Sequence, residues 1–230
     1  MPKKNRRADP RPYHHGDLRR VLIDTALELV TDEQDWTFSL REVARRAGVS
    51  PHAPYNHFTD KQDLLGAVAV VGFERLRVGM LRAMAGIDAP EALLAVIGRT
   101  YVRLGLENPA LYRLMFSSAL ADVGPGDRPT LVRSTGAQAR AVLEEVIRRG
   151  ARSGAFAVSP DSEQDQILAA LSFWSAVHGL TMLVIDNIWG TDLPVDDRTE
   201  RLLRTVLEGL RQARAQQSRQ PSQATARDHV

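Results

Sequence analysis

The sequence contains no cysteine, and that absence excludes several kinds of chemistry. Without a thiol the chain can form neither a disulfide nor a thiolate metal site, and it has no cysteine nucleophile. An apolar stretch is also missing from residues 1–20, so they lack the hydrophobic core of a secretory signal. We therefore expect a protein that remains in the cytoplasm.

Glycine and proline number only 16 and 12 among 230 residues, far too few for a collagen. The length, together with 43% hydrophobic and 25% charged residues, also excludes a disordered tail and a mini-protein. These values describe a soluble chain that is long enough to bury a sizeable core.

The net charge of +2 is small, but the charges are unevenly distributed. Residues 1–20 carry seven basic and two acidic side chains, and residues 211–230 carry four basic and one acidic. The 190 residues between them therefore have a net charge of −6. A short cationic arm of this kind can reach a polyanion without attracting the body of the protein to it.

Apolar residues recur at spacings of three and four along most of the chain, which predicts helices. No segment of useful length alternates polar and apolar residues, so the predicted fold class is all-α. Besides two short helices near residues 40–57, the predicted helices cover residues 17–32, 60–84, 90–107, 108–120, 127–153, 163–188 and 196–216.

The two short helices have the proportions of a helix-turn-helix. The hydroxyl of Ser39 can cap the first helix while Glu42 reaches back to the cap, and Gly48 suits the left-handed residue that ends a helix. Ser50 then begins the second, with Pro51 at its first position, where a missing N–H costs nothing. The two helices are joined through residues 47–50, as in a DNA-binding helix-turn-helix.

The exposed positions of the second short helix suit DNA. His52 and Asn56 are four residues apart and project from one face, within reach of base edges in a major groove. Tyr55 offers a phenolic hydroxyl, and Lys61 lies at the start of the next helix, where a cation and free N–H groups favour a phosphate. The preceding helix adds positive charge through Arg41, Arg45 and Arg46.

At these positions the sequence resembles the TetR family of bacterial one-component regulators. The matching residues are Gly48-Val49-Ser50, Tyr55, His57-Phe58, Lys61 and Leu64, preceded by Leu40-Arg41-Glu42-Val43-Ala44. The resemblance implies that three N-terminal helices bind DNA and that the remainder binds an effector and forms the dimer. Pro54 departs from the pattern, because many members have leucine or another helix former there.

The resemblance also implies roles for individual residues. It gives phosphate contacts to Tyr55 and Lys61, and it gives base or near-base contacts to Arg41, Pro51, His52, Ala53, Asn56 and His57, with Ser50 in the same DNA-binding set. We divide the chain accordingly into a flexible basic arm (residues 1–15), a helix-turn-helix domain (16–65), a helical ligand-binding and dimerisation domain (66–216) and a disordered tail (217–230).

A second resemblance concerns Trp174, His178 and Gly179. A subgroup of TetR-like regulators carries a tryptophan and then His-Gly in this long helix, with the same spacing. Aromatic and sulfur-containing side chains could form the wall of an apolar effector pocket, and they could equally form an ordinary core. The pocket candidates are Tyr101, Tyr112, Met115, Phe116, Phe173, Trp174 and His178.

Residues 167–185 carry no charge, and this length is close to what a bilayer requires. The segment nevertheless contains Ser172, Ser175 and His178, and its nearest flanking charges are Asp165 and Asp186 rather than basic residues. We therefore expect no membrane partner and interpret this helix as the centre of a domain or a subunit interface.

The sequence predicts no cofactor, no metal and no catalytic residues. His52 and His57 are five residues apart, which does not align them as a helical metal pair, and no paired carboxylates converge on any of the six histidines.

We expect a cytoplasmic, nucleoid-associated homodimer that pairs through its last two long helices. It binds a palindromic double-stranded DNA operator as a repressor and is released by an unknown small-molecule effector. Two alternatives remain: a DNA-binding dimer without an effector, and a helical enzyme that carries a helix-turn-helix.

Overall fold

The all-helical prediction is confirmed. The computed structural model describes residues 15–120, 128–188, 190 and 192–217, and within these ranges it contains no strand. The predicted arm lies outside the described residues except for His15, and the predicted tail except for Gln217. The α-helices are α1 (His15–Glu33), α2 (Leu40–Arg46), α3 (Lys61–Ala83), α4 (Pro90–Glu107), α5 (Pro109–Met115), α6 (Arg128–Ser153), α7 (Glu163–Ile185) and α8 (Val195–Gln217).

Helix α2 begins and ends as its sequence predicts. The Ser39 hydroxyl accepts a hydrogen bond from the Glu42 N–H at 3.2 Å, and Gly48 has a φ of +69° just after the helix. The predicted return contact from the Glu42 side chain to the cap residue is wrong. The Glu42 carboxylate instead accepts hydrogen bonds from the Arg45 guanidinium at 2.5 and 3.0 Å.

The expected α-helix starting at Ser50 is also wrong. Residues 51 and 52 form a turn, and a 3-10 helix follows at Ala53–Asn56. Pro54 has no N–H to bond the Ser50 carbonyl, so that carbonyl instead accepts from Ala53 at 3.0 Å, three residues away. The tighter 3-10 pattern continues from Tyr55 to His52. We call residues 50–57 the reading segment.

Helix α3 connects the reading segment to the rest of the molecule. Asp60 caps it by accepting a hydrogen bond from the Asp63 N–H at 2.8 Å. Its 23 residues span about 35 Å at 1.5 Å per residue. Along that length it packs against α1, α4, α5 and α6, so it belongs both to the end that carries the reading segment and to the larger helical body.

The later helices follow the predicted boundaries with two differences. Helix α4 has the predicted bounds, whereas the expected helix over residues 108–120 is divided into α5 and a 3-10 turn, Ser118–Leu120. Helix α7 ends three residues before the predicted position 188. Asn187 adopts a left-handed φ of +49°, and the Ile188 N–H bonds the Leu183 carbonyl at 3.1 Å, which closes the helix end as a glycine would.

One hydrophobic core runs through the described helices, from Leu18 in α1 to Leu203 in α8. Helix α7 contributes Phe173 and Val177 to this core but leaves Leu168 and Leu171 exposed. By length and composition α7 could cross a membrane, and 28% of its most apolar window is buried within one chain. The remaining residues of this window are half-buried or exposed, so α7 is only partly covered in the single chain.

Candidate DNA-reading surface and ligand cavity

Two buried side chains attach the reading segment to the core, and the other side chains of the segment are exposed or half-buried. Pro54 and Phe58 lie in the core. Tyr55 is 49% exposed, and its ring lies 6.2 Å from that of His52. Ser50, Pro51, His52 and Asn56 are exposed, while Ala53 and His57 are half-buried. The short 3-10 turn therefore still brings the predicted reading residues to one end of the molecule.

Lys61 is half-buried at the first residue of α3. Its ammonium group lies 5.4 Å from the centre of the Phe38 ring, which orients the side chain. Burial lowers the pKa of Lys61, and the Asp35 carboxylate opposes that change. The Asp60 carboxylate already caps the first turn of α3, so the Lys61 ammonium group is the cation that this end of the helix offers to a phosphate.

The positive charge predicted for α2 is largely neutralised, and this part of the sequence interpretation is wrong. The Arg45 guanidinium pairs with Glu42 at 2.5 Å. Arg46 lies 3.2 Å from Glu33. Arg41 is exposed and forms no ion pair with any residue of the described ranges. Arg41 is thus the one arginine of α2 left to meet a polyanion.

Four of the predicted pocket residues form a hydrogen-bonded cluster between α4, α5 and α7. The Trp174 indole N–H donates to the Tyr101 hydroxyl at 3.1 Å, and the Tyr112 hydroxyl donates to it at 3.0 Å. Nδ1 of His178 lies 2.6 Å from the Tyr112 hydroxyl and 2.8 Å from that of Tyr101. We call these four residues the aromatic cluster.

Burial controls the protonation of the aromatic cluster. It raises the pKa of Tyr101 to about 12, against the opposing effect of the hydrogen bonds with Tyr112 and Trp174. The pKa of Tyr112 is also raised, first by burial and then by the neighbouring Tyr101. Burial lowers the pKa of His178, which favours a neutral ring whose Nδ1 accepts a hydrogen bond from a tyrosine hydroxyl. The cluster is therefore satisfied without any charged member.

A cavity of about 220 Å³ lies beside this cluster, enclosed by α3, α4, α6 and α7 with Phe116. Four predicted pocket residues, Tyr101, Phe116, Phe173 and Trp174, line it. Tyr112, Met115 and His178 are not among the residues that line it, and Tyr112 and His178 form a hydrogen bond with each other behind that wall.

None of the cavity-lining residues on α3 and α6 is among the pocket residues predicted from the sequence. Helix α3 supplies Phe73, Leu76 and Met80, and α6 supplies a stripe that contains Arg133, Gly136, Ala137, Ala139, Arg140 and Leu143. The available signal was the pair of small residues at positions 136 and 137, which leave room between the two arginines. Whether these small residues leave a cavity depends on which helices pack against them, and the neighbouring residues in the sequence do not specify that packing.

Among the described residues, no group of three or more histidine and acidic side chains lies close enough together to hold a metal ion.

The lowered pKa of His178 predicts a pH dependence of stability. As the pH falls through about 6.5, the unfolded chain takes up a proton that the folded chain resists, so the free energy of unfolding should decrease. Urea unfolding between pH 7.5 and 5.5 should show a smaller decrease for His178→Gln than for the wild type. The exposed control His52→Gln should keep the wild-type slope, and an equal slope in His178→Gln would contradict the prediction.

Comparisons with known proteins agree with this architecture. Residues 22–68 match the family model of bacterial regulatory proteins of the tetR family. Residues 94–206 match that of the tetracyclin repressor-like C-terminal domain. Together the two matches cover more than two thirds of the chain, and the second includes Trp174, His178 and Gly179.

Individual proteins that are similar to this chain are also named as HTH-type transcriptional regulators. An HTH-type transcriptional regulator of Haemophilus influenzae is 35% identical over 110 residues, which cover 47% of this chain and about half (53%) of that protein. The HTH-type regulator YobS of Bacillus subtilis is 25% identical over 85% of this chain and 93% of its own length.

A solved structure of a Rhodococcus protein of unknown function superposes with a TM-score of 0.72 and 30% identity, covering 87% of this chain and 99% of that one. With both family models matched in chain order and the helix-turn-helix geometry in place, the chain belongs to the TetR family and is a DNA-binding transcriptional regulator.

Proposed function

We propose that this regulator binds a palindromic operator as a homodimeric repressor and is released when a small molecule enters the cavity. The observation that carries the proposal is the course of α3. One end of this helix holds Lys61 beside the reading segment, and its other half lines the cavity with Phe73, Leu76 and Met80. Repression and effector response are typical of the TetR family.

In the proposed complex the reading segment enters the major groove. His52 and Asn56 contact base edges, and Tyr55 and Lys61 bind phosphates on either side. The other reading residues, Arg41, Ser50, Pro51, Ala53 and His57, complete the contact surface. Because Arg45 and Arg46 are paired within the protein, the affinity rests on these few positioned groups and on the basic residues that precede α1.

The partner across α7 is a second copy of this chain. Ile167, Leu168 and Leu171 of α7 are about half exposed in the single chain. Further along α7, a Cβ atom at Gly179 would meet nothing within 4 Å, so another helix can approach closely there. Together with α8 this face would form a four-helix arrangement across a two-fold axis. Such a dimer places two reading segments in successive major grooves, about 34–36 Å apart.

Release from DNA requires that the ligand bind one state of the protein more tightly than the other. A ligand that fits the cavity better when α3 is displaced stabilises the displaced state, in which the spacing of the two reading segments no longer matches the DNA. Residues 16–65 thus read DNA, and residues 66–216 sense the ligand and form the dimer. The family consists of cytoplasmic DNA-binding proteins, and we place this member on the nucleoid.

The phosphate and base contacts are distinguishable by substitution. Tyr55→Phe and Lys61→Ala should weaken binding to every DNA sequence alike, because phosphates are the same at all positions. His52→Ala and Asn56→Ala should change the preference at individual base pairs by about 1–3 kcal/mol. Selection of bound fragments from a random pool measures both effects. A preference change confined to one base pair in Lys61→Ala would contradict its assignment to a phosphate.

Filling the cavity should abolish the response to effector while DNA binding persists. Compounds that raise the melting temperature of the wild type are first selected, and their effect on DNA binding is then measured by fluorescence anisotropy. Ala137→Phe places a ring in the cavity and should lose both stabilisation and release. The matched control Ala141→Phe, at an exposed position of the same helix, should respond like the wild type. If no stabilising compound ever releases DNA, the DNA-binding dimer without an effector is the correct alternative.

A charge on the exposed face of α7 should dissociate the dimer. Leu168→Glu and Leu171→Glu would each bury a carboxylate in the proposed apolar interface, so analytical ultracentrifugation should report a monomer with much weaker DNA binding. Leu81→Glu, at a similarly exposed position on α3, should remain dimeric. A dimer of unchanged stability in both α7 variants would mean that another face forms the interface.

A further inference from the structure

Among the described residues, the cavity has an apolar interior and charged side chains from α6 alone. Its lining from α3, α4 and α7 consists of aliphatic and aromatic side chains. Arg133 and Arg140 of α6 are its charged lining residues, and no carboxylate is among the described residues that line it. Because they are seven residues apart, the two arginines lie on the same face of α6, about 10 Å apart along its axis.

The two arginines differ in whether their charge is already balanced. The Arg140 guanidinium donates a hydrogen bond to Glu144 at 2.8 Å. Arg133 is exposed, and its side chain forms no hydrogen bond or ion pair within the described ranges. One unbalanced positive charge therefore remains at the rim of the cavity.

The polar atoms inside the cavity wall are already occupied. The Trp174 indole N–H donates to the Tyr101 hydroxyl, and that hydroxyl lies within hydrogen-bond distance of Tyr112 and His178 as well. A ligand that sought a polar partner there would have to disrupt the aromatic cluster. Among the described lining residues, Arg133 is the group left that can bind a polar end of a ligand without that cost.

We propose that the effector is a small apolar monocarboxylate, whose hydrocarbon part fills the cavity and whose carboxylate pairs with Arg133 at the rim. A guanidinium can bind both oxygens of a carboxylate, and a cationic head group at the same place would be repelled. The volume of about 220 Å³ exceeds the roughly 150 Å³ of an apolar protein cavity that binds benzene, so a hydrocarbon part of about seven to eight carbon atoms is of suitable size. This inference rests on the proposal that the cavity is the effector site.

Three probes of equal chain length isolate the head group: octanoate, 1-octanol and octylamine. Isothermal titration calorimetry on the full-length protein should show octanoate binding at least fivefold more tightly than 1-octanol, with octylamine the weakest. The expected gain is modest because Arg133 is exposed to solvent. Octanoate binding no tighter than that of 1-octanol would overturn the proposal, and so would the absence of binding by all three.

A matched pair of variants tests the residue itself. Arg133→Gln should lower the affinity for octanoate to that of 1-octanol while leaving the affinity for 1-octanol unchanged. Arg75→Gln, which removes an exposed arginine of α3 away from the cavity, should bind octanoate like the wild type. Unchanged octanoate affinity in Arg133→Gln would exclude the ion pair, whatever the effect of the probes on DNA.

DNA binding measured in the same samples separates this proposal from the regulatory one. If octanoate binds with the predicted dependence on Arg133 but never changes the affinity for DNA, the carboxylate site stands and effector release fails. If 1-octanol releases DNA as well as octanoate does, and Arg133→Gln changes nothing, the regulator stands and the carboxylate proposal is overturned.

Discussion

The continuity of α3 is the constraint on which the rest of the structure depends. Its backbone hydrogen bonds run without interruption from Lys61 to Ala83, so the helix moves as one piece on the scale of its 23 residues. The reading segment is attached to one end through Phe58, and Phe73, Leu76 and Met80 of the other half face the cavity. In the proposed mechanism, a displacement of α3 at the cavity would therefore reach the reading segment without a chain of side-chain rearrangements.

The aromatic cluster makes the opposite wall of the cavity resistant to movement. Hydrogen bonds among Tyr101, Tyr112, Trp174 and His178 join α4, α5 and α7, and α5 packs in turn against α1 and α3. Breaking these buried bonds would leave polar atoms without partners. The side of the cavity that can move more easily is then formed by α3 and α6. There the flexible side chain of Met80 and the small residues of α6 can adapt their packing to a ligand. A ligand should thus push α3 rather than α7.

The sequence predicted the local features of this molecule better than its tertiary ones. The bounds of α4, the serine cap of α2 and the left-handed Gly48 follow from neighbouring residues and are as expected. The reading segment differs because Pro54 removes an α-helical hydrogen bond, and the Ser50 carbonyl accepts from Ala53 instead. Pairing of Arg46 with Glu33 depends on how α1 meets α2, and the role of Arg133 depends on which helices face α6. Neither can be obtained from periodicity alone.

The most direct test of the account is the distance between the two copies of α3 in the dimer. Since the chain has no cysteine, Gln62→Cys provides a single spin-label position in the exposed first turn of α3. Double electron–electron resonance would compare the labelled dimer before and after saturation with a compound that stabilises the wild type but not Ala137→Phe. Transmission through α3 predicts a shift of the main distance on saturation. An unchanged distance distribution, in a sample whose DNA is nevertheless released, would contradict transmission through α3.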